Sequence, residues 1–207
     1  AGIPVTHRDC CSSLHIVTGH RREGKALDIN FRALVQGGGT LVFLMGVGAL
    51  REIVSGLLEA GMALDTPAAM VERGTTPRQR RCGGTLSNLP DRAAEMGISS
   101  PAVIVVGQVC AQAEKFDWFS RLPLKGRRIL VTRPKERAGA MSEKLRALGA
   151  DVTEYPCIAT VPLDPCPELE EALGSLSRYA WLAFTSPAGV EAAWRCLGRL
   201  GRDARAL

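Results

Sequence analysis

The stretch "TLVFLMGVGALREIVSGLLEAG" (Thr40–Gly61) contains two different hydrophobic patterns in succession. It opens on a short, mostly apolar run, which predicts a strand over Thr40–Leu44. Apolar residues then recur at helical spacing over Ala49–Ala60, and Gly61 follows as a stop signal. A strand followed within a few residues by an amphipathic helix is typical of layered α/β domains.

The same alternation extends on both sides of this stretch. Further short apolar runs predict strands, and helical patterns lie between them. The predicted strands are Leu14–Val17, Ala68–Val71 and Ala102–Val106, and the predicted helices are Lys25–Val35 and Leu89–Met96. We therefore expect residues 1–120 to form one α/β domain.

A polar, basic and aromatic segment, "AEKFDWFSRLPLKGRR" (Ala113–Arg128), separates this region from a second one. Pro123 and Gly126 interrupt it, and we assign residues 121–127 as a linker. A β-α-β-α-β-α pattern restarts after it, which predicts an incomplete doubly wound parallel α/β domain over residues 128–207. Its predicted extended segments are Arg128–Val131, Val152–Glu154, Ile158–Val161 and Ala180–Phe184, and its predicted helices are Glu136–Leu148, Glu168–Leu176 and Val190–Leu200.

The composition disfavours several functional classes. A net charge of +5 over 207 residues is only mildly basic, and no zinc-finger, RNP-like or aromatic-interleaved basic pattern accompanies it, so we expect no nucleic-acid partner. No apolar run is long enough to cross a bilayer, so we expect no membrane partner. The seven cysteines are scattered without a Cys-x-x-Cys pair, which favours free thiols in a reducing, cytoplasmic compartment.

All three histidines lie in "GIPVTHRDCCSSLHIVTGH" (Gly2–His20). His15 and His20 are five residues apart on a predicted strand and turn, and strand residues at odd spacing face opposite sides, so we expect no metal site. Two interpretations remain open. In one, His15 lies on a strand face and His20 caps a loop; in the other, "GIPVTHR" and "VTGH" are two loops that flank one cleft.

Six segments support a resemblance to a known family. "AGIPVTHR", "VTGH", "TLVFLMG", "DTPAAMVERGTTPRQR", "GTL" and "SPAVIVVGQV" occur in this order over residues 1–109, and the succession resembles the C-terminal half of the uroporphyrinogen-III C-methyltransferases, which are tetrapyrrole methylases. From Leu124 onward, "LKGRRILVTRP", "EKLRALGADVTEYPCIATVP" and "WLAFTSPAGVEAAW" resemble the N-terminal part of the uroporphyrinogen-III synthases.

The resemblance implies two activities on acidic tetrapyrroles. The first is the S-adenosylmethionine-dependent methylation of uroporphyrinogen III to precorrin-2, in siroheme and cobalamin biosynthesis. The second is the cyclisation of hydroxymethylbilane by the synthase. It also implies a homodimer formed through the methylase region. A mildly basic chain suits substrates that carry many carboxylates.

The resemblance also implies a cofactor site for S-adenosyl-L-methionine. It places Met45, Gly46, Gly74 and Thr75 against the cofactor, and it places Ala68 in the adenine pocket. Leu44 stands where the family usually has tyrosine, which removes one hydroxyl from the site. Two alternatives remain open: Met45 is a core residue, and Gly74 and Thr75 belong to an ordinary capped turn.

Seven further residues are candidates for binding substrate. Thr6, His7 and Arg8 can present hydrogen-bond donors to carboxylates, although nothing nearby in the sequence orients His7 as a base, and no catalytic residue is assigned. Ligands of open parallel sheets bind at the carboxyl ends of the strands, and helix N-termini favour anions. This rule selects four residues of the second region, namely Thr132, Arg133, Thr185 and Ser186, with a plain helix N-cap as the alternative for Ser186.

The resemblance further implies that the family's N-terminal half, with its Gly-rich cofactor loop, is not in this sequence, and that the synthase domain is incomplete. We therefore expect a fragment with one wall of each pocket, which does not methylate alone. The alternatives are a non-catalytic remnant that retains only a dimer surface, and a different tetrapyrrole, precorrin or diphthine methylase.

Overall fold

The computed structural model describes residues 2–20, 27–163 and 165–207. These fall into two compact units, one comprising Ala1–Val131 and Gly139–Thr153, the other Thr132–Ala138 and Glu154–Leu207. The linker predicted at 121–127 lies inside the first unit by this criterion. The domain boundaries inferred from the sequence stay a prediction.

A five-stranded mixed sheet organises the first unit, and its strand order is β1-β2-β5-β3-β4. The strands β1 and β2 are parallel, whereas β5 is antiparallel to both β2 and β3, and β4 is antiparallel to β3. The first three strands therefore end at one edge of the sheet, where β4 and β5 begin; we call this the carboxyl edge. The strands are β1 (Leu14–Thr18), β2 (Thr40–Leu44), β3 (Pro67–Glu72), β4 (Arg80–Thr85) and β5 (Ala102–Val106).

Alternate residues of the central strands face two different hydrophobic clusters, as the two-residue period of a strand requires. Phe43 and Ile104 point to the larger cluster, which also holds Ile53 and Leu57 and is covered by three helices. These four side chains are fully buried, and each burial stabilises the unit by about 1.5–3 kcal/mol. The helices are α1 (Phe31–Gly37), α2 (Leu50–Glu59) and α3 (Leu89–Glu95).

The opposite face of the sheet packs against a smaller cluster. Val105 lies there with Val109 and Cys110 of the short 3₁₀ helix Gln108–Gln112, and Ile3 and Cys10 of the N-terminal loop pack against them. The sheet is therefore covered on both faces, which is why its central strands read as nearly continuous apolar runs.

The α/β fold class predicted from the sequence is confirmed. In the first unit, one strand was not predicted and one helix begins later than predicted. The strand β4 was not predicted, because its sequence "RRCGGT" contains two glycines and two arginines and has no apolar run. The helix expected over Lys25–Val35 begins at Phe31, where the Asn30 side chain accepts a hydrogen bond from the amide of Ala33 at 3.0 Å. Residues 25 and 26 lie outside the described residues.

The later elements also follow the predicted order. The strands β6 (Arg128–Val131) and β7 (Asp151–Glu154) form a two-stranded sheet, and α4 (Lys135–Ala147) connects them. Within the second unit, α5 (Pro167–Gly174) and α6 (Pro187–Arg199) pack through a small buried cluster. Its members are Leu173, Ala193, Cys196 and Leu197.

Two predicted extended segments do not form strands. Residues 180–184 and 158–161 have no strand assignment, and Trp181 is 92% exposed. An apolar run becomes a strand only when a neighbouring chain satisfies its backbone N–H and C=O groups, and no other strand in the described part of the chain pairs with either segment. The prediction of a strand at Ala180–Phe184 is therefore wrong.

Over the same described part, no helix combines the length and the hydropathy needed to cross a membrane.

Candidate functional site

An open cavity of about 1060 Å³ lies at the carboxyl edge of the five-stranded sheet. Residues that follow three parallel strands line it, represented by His20 after β1, Met45 after β2 and Gly74 after β3, together with Pro101 before β5. Asp151 at the start of β7 completes the lining. A cavity of this size is in the range that binds small molecules and cofactors.

The structure brings together two of the residues that the resemblance assigns to the cofactor. Met45 and Gly74 line the same cavity, although they are 29 positions apart in the sequence. The Met45 side chain is 63% exposed, so it is not a core residue. Leu44, at the position where the family usually has tyrosine, also lines the cavity.

The backbone at this edge is strained. Met45, Arg73 and Thr75 have φ values of 55°, 47° and 64°, and they are the only non-glycine residues with positive φ in the part of the chain that the structure describes. A residue with a Cβ atom in this region of φ/ψ space costs about 1–2 kcal/mol. Such strain concentrates at ligand-binding sites, where the surrounding structure enforces it.

Two glycines allow the ends of β1 and β2 to approach each other. A Cβ atom on Gly19 would lie 2.8 Å from the Cα atom of Gly46, and one on Gly46 would lie 2.8 Å from the Cδ1 atom of Ile53. The amide of Gly19 donates a hydrogen bond of 2.7 Å to the carbonyl of Leu44. Gly46 therefore serves the packing beneath Met45, and its contact with a cofactor stays a prediction.

The loop after β3 is closed by its own hydrogen bonds. The amide of Thr75 donates to the side-chain carbonyl of Gln79 at 2.7 Å, and the hydroxyl of Thr76 donates to the carbonyl of Arg73 at 2.7 Å. The amide of Gln79 donates in turn to the carbonyl of Thr76 at 2.9 Å. Thr75 is exposed beside Gly74, so it is accessible to a ligand, although it is not among the cavity-lining residues.

A buried carboxylate anchors the base of this loop. Glu72 is 3% exposed, and it accepts hydrogen bonds from the guanidinium of Arg80 at 2.5 Å and from the hydroxyl of Ser99 at 2.8 Å. The bond from Arg80, followed by those from Ser99, lowers the pKa of Glu72 to about 2, against the opposing effect of burial. Glu72 therefore stays ionised and joins the ends of β3, β4 and the segment before β5.

Ala68 does not lie at this cavity. It is 1% exposed within the larger hydrophobic cluster, near the start of β3 and thus at the opposite end of the strand from Gly74. Ala68 is not among the residues that line the cavity. Its assignment to an adenine pocket stays a prediction.

Thr6, His7 and Arg8 also lie apart from the cavity lining. Their loop continues into residues that pack in the smaller hydrophobic cluster. The His7 ring contacts Phe116 edge-on, with the ring centroids 5.9 Å apart. The amide of Asp9 donates to Nδ1 of His7 at 3.3 Å, so a local group does orient this ring, contrary to the expectation from the sequence. Of the two motifs expected to flank one cleft, only "VTGH" reaches the cavity, through His20.

The four candidates of the second region are exposed. Thr132 and Arg133 directly follow β6, and the carbonyl of Thr132 accepts a hydrogen bond from the amide of Cys157 at 3.2 Å. Ser186 caps α6, because its hydroxyl accepts from the amide of Gly189 at 3.1 Å. The residues directly before Thr185 do not form a strand. The four candidates were placed together because each pair was expected to follow a strand of one sheet, and this reason therefore does not hold.

Several residues at the cavity were not selected from the sequence, namely Arg73, Arg78, Ser100, Pro101 and Asp151, and His20 was considered only as the end of "VTGH". Those that follow β1 and β3 could have been found by applying the rule of strand carboxyl ends to the first region. Asp151 could not, because it comes from a segment 73 residues beyond its partner Arg78. Within the described residues, no group of three or more histidine, cysteine, aspartate or glutamate side chains could hold a metal ion.

Comparison with family models gives two matches. Residues 1–90 match the tetrapyrrole (corrin/porphyrin) methylases. Residues 139–207 match uroporphyrinogen-III synthase HemD. The resemblance to both families is confirmed.

Individual relatives agree with this double match. The chain is 51% identical over 206 residues to the porphyrin biosynthesis protein HemD of Ruminiclostridium josui, and 35% identical over 208 residues to the uroporphyrinogen-III C-methyltransferase of Bacillus subtilis (strain 168). Both alignments include 100% of this chain, which spans 41% and 42% of the two relatives.

A solved structure gives a partial match. The chain is 33% identical to uroporphyrin-III C-methyl transferase from Thermus thermophilus complexed with S-adenyl homocysteine, with a TM-score of 0.44. The alignment covers 53% of this chain and 48% of that one.

Proposed function

We propose that the cavity at the carboxyl edge is part of the site that binds S-adenosyl-L-methionine in a uroporphyrinogen-III C-methyltransferase. The reaction is the methylation of uroporphyrinogen III to precorrin-2, on the route to siroheme and cobalamin. The observation that supports this most directly is that Gly74 and the exposed Met45 line one cavity, within the region that matches the tetrapyrrole methylases. The Bacillus subtilis relative of the same name aligns with the whole chain.

The residues present fit this cofactor. When bound, S-adenosyl-L-methionine supplies an electrophilic methyl group on a sulfonium. Met45 offers an exposed, flexible and polarisable side chain, and the loop Gly74–Thr75 offers backbone groups beside it. Arg73 places a cation at the same cavity, which suits the carboxylates of the cofactor and of an acidic tetrapyrrole, whereas the charge of Arg78 is paired with Asp151. The contribution of these residues is to bind and orient the reactants, which supplies much of the rate enhancement in group transfer.

We also propose a second activity, the cyclisation of hydroxymethylbilane, for a longer protein in which the methyltransferase and the synthase are fused. We assign residues 128–207 to a uroporphyrinogen-III synthase domain, residues 1–120 to the methyltransferase and residues 121–127 to a linker; the family matches at residues 139–207 and 1–90 support this division. In this arrangement hydroxymethylbilane is bound by Thr132, Arg133, Thr185 and Ser186. Carboxylates of a tetrapyrrole are bound by Thr6, His7 and Arg8. A homodimer formed through the methylase region completes the proposal.

The cofactor assignment is tested by isothermal titration calorimetry of the 207-residue chain with S-adenosyl-L-methionine. We expect micromolar affinity, and we expect Met45→Ala to weaken it by about tenfold, because the lost contacts with the methionine side chain correspond to about 1.4 kcal/mol. Met141→Ala is the matched control, since Met141 is a comparably exposed methionine on α4 that does not line the cavity. Absence of binding heat, or equal effects of the two substitutions, would contradict the assignment.

A further inference from the structure

The segment that resembles the start of the synthase contacts the loop that walls the cavity. The ammonium of Lys125 donates hydrogen bonds to the carbonyls of Pro77 and Gln79, at 2.5 and 3.0 Å. The carboxylate of Asp151 accepts a hydrogen bond of 2.8 Å from Nε of Arg78. Two side chains from beyond the methylase match at residues 1–90 therefore hold three consecutive residues of the loop 73–80.

These two side chains are themselves fixed in place. The amide of Leu124 donates to the carbonyl of Leu148 at 2.9 Å, and the amide of Asp151 donates to the carbonyl of Arg127 at 2.8 Å. The Lys125 ammonium also lies 5.1 Å from the centroid of the Phe119 ring. The end of α4, the start of β7 and residues 124–127 thus form one hydrogen-bonded support within the first unit.

The support acts on the part of the loop that shapes the cavity. Arg78 and Asp151 both line the cavity, as do Gly74 and Pro77. The strained φ angles of Arg73 and Thr75 lie in the same loop, and a strained backbone persists only where its surroundings enforce it. Lys125 acts on two carbonyl groups in the second half of this loop.

We propose that Lys125 and Asp151 are positioning residues, which hold the loop 73–80 in the conformation that binds the methyl donor. The segment resembling the synthase thereby sets the affinity of the methyltransferase site. The effect on donor affinity rests on the proposed function; the effect on the loop does not.

The two contacts differ in strength. Arg78 and Asp151 are 63% and 27% exposed, so solvent screens their ion pair, and Asp151→Asn weakens donor binding by about threefold. Lys125 is part-buried and makes two charge-assisted hydrogen bonds, so Lys125→Met weakens it by about tenfold. Lys125→Arg retains a cationic donor and restores most of the affinity.

The test combines hydrogen exchange without ligand and calorimetry with S-adenosyl-L-methionine on the same set of variants. Peptides covering residues 73–80 report the amides of Thr76 and Gln79, which donate within the loop. We expect Lys125→Met to accelerate their exchange by about tenfold and Asp151→Asn to accelerate it by about threefold, because each loosens the loop.

Two matched controls separate this effect from a general loss of charge. Asp91→Asn breaks the ion pair of Arg51 and Asp91, which has the same 2.8 Å length and does not involve the cavity, and Lys144→Met removes an exposed lysine of α4. Both are expected to leave exchange in the loop and donor affinity unchanged.

The possible results are distinguishable. Unchanged exchange at residues 73–80 in Lys125→Met and Asp151→Asn overturns the proposal, and so does faster exchange accompanied by wild-type donor affinity. If the wild-type chain binds no donor, the proposed function fails, and the exchange rates alone decide whether the two residues hold the loop.

Discussion

Glu72 provides the sharpest test of how the carboxyl edge is held together. One of its carboxylate oxygens accepts a hydrogen bond from the guanidinium of Arg80, and the other accepts hydrogen bonds from the hydroxyl and the amide of Ser99. Arg80 also donates to the carbonyls of Met96 and Gly97. Replacing Glu72 by Gln keeps the size of the side chain and removes the charge that organises these contacts.

The magnitude follows from the pKa. The hydrogen bond from Arg80, followed by those from Ser99, lowers the pKa of Glu72 from 4.5 to about 2. A shift of this size corresponds to at most about 3 kcal/mol of folding free energy. Because Arg80 is 47% exposed, solvent screening reduces the contribution, and we expect Glu72→Gln to destabilise the first unit by about 1–2 kcal/mol at pH 7.

The pH dependence has a definite sign. The pKa is lowered on folding, so the stabilisation is complete above the ordinary value of 4.5 and is lost as the pH falls towards about 2. Urea unfolding of the wild type and of Glu72→Gln, followed by far-UV circular dichroism between pH 7 and pH ~2.5, measures the difference. The two curves should converge in acid.

The control for this experiment is Glu59→Gln, at the exposed end of α2, where the carboxylate accepts only from Ser55 of the same helix in the described contacts. We expect a change within about 0.5 kcal/mol for this variant. A difference between wild type and Glu72→Gln that stays constant across the whole pH range, or none at pH 7, would refute the reasoning.

Three further outcomes follow from the geometry of the first unit. Gly19→Ala forces a Cβ atom against neighbouring backbone and lowers the free energy of unfolding by about 1–3 kcal/mol, whereas Gly48→Ala, with no atom near its Cβ position, changes the melting temperature little. Met45→Gly relieves a positive φ angle and raises the free energy of unfolding by about 1 kcal/mol in urea titrations, while it weakens donor binding in calorimetry. Burial raises the pKa of the Cys110 thiol to about 12, so at pH 8 iodoacetamide should modify exposed Cys157 and leave Cys110 unmodified until urea unfolds the chain, as mass spectrometry would show.

The sequence predicts the central strands of the first unit well because their apolar runs are buried on both faces of the sheet. It does not predict β4, whose register depends on pairing with β3 and on contacts between Arg80 and Glu72 and between Arg81 and the carbonyl of Ala113. Glu72 lies eight residues from Arg80 and Ala113 lies 32 residues from Arg81, so neither contact can be read from the six residues of β4 themselves. The segment 180–184 shows the converse, because its composition suits a strand and no neighbouring strand pairs with it in the described part of the chain.

The candidate site divides in the same way. It could be predicted that Met45 and Gly74 line one cavity, because parallel strands end at one edge of a sheet and both residues follow such strands. That Ala68 lies elsewhere follows from its place at the other end of β3, which a sequence motif does not reveal. The participation of Asp151 depends on tertiary packing between regions that match different families.

The groups that line the cavity and the groups that hold its shape are largely different sets. Met45 and Arg73 reach the cavity in strained conformations, and the contacts that enforce those conformations lie beneath them, in the packing of Gly19 against Gly46 and in the ionised Glu72. Strain of about 1 kcal/mol at a residue persists only if the groups underneath contribute more than that. Substitution of a lining side chain that supports no neighbouring backbone, as in Met45→Ala, should therefore change binding with little effect on folding, whereas substitution of a group beneath should change folding first and binding as a consequence.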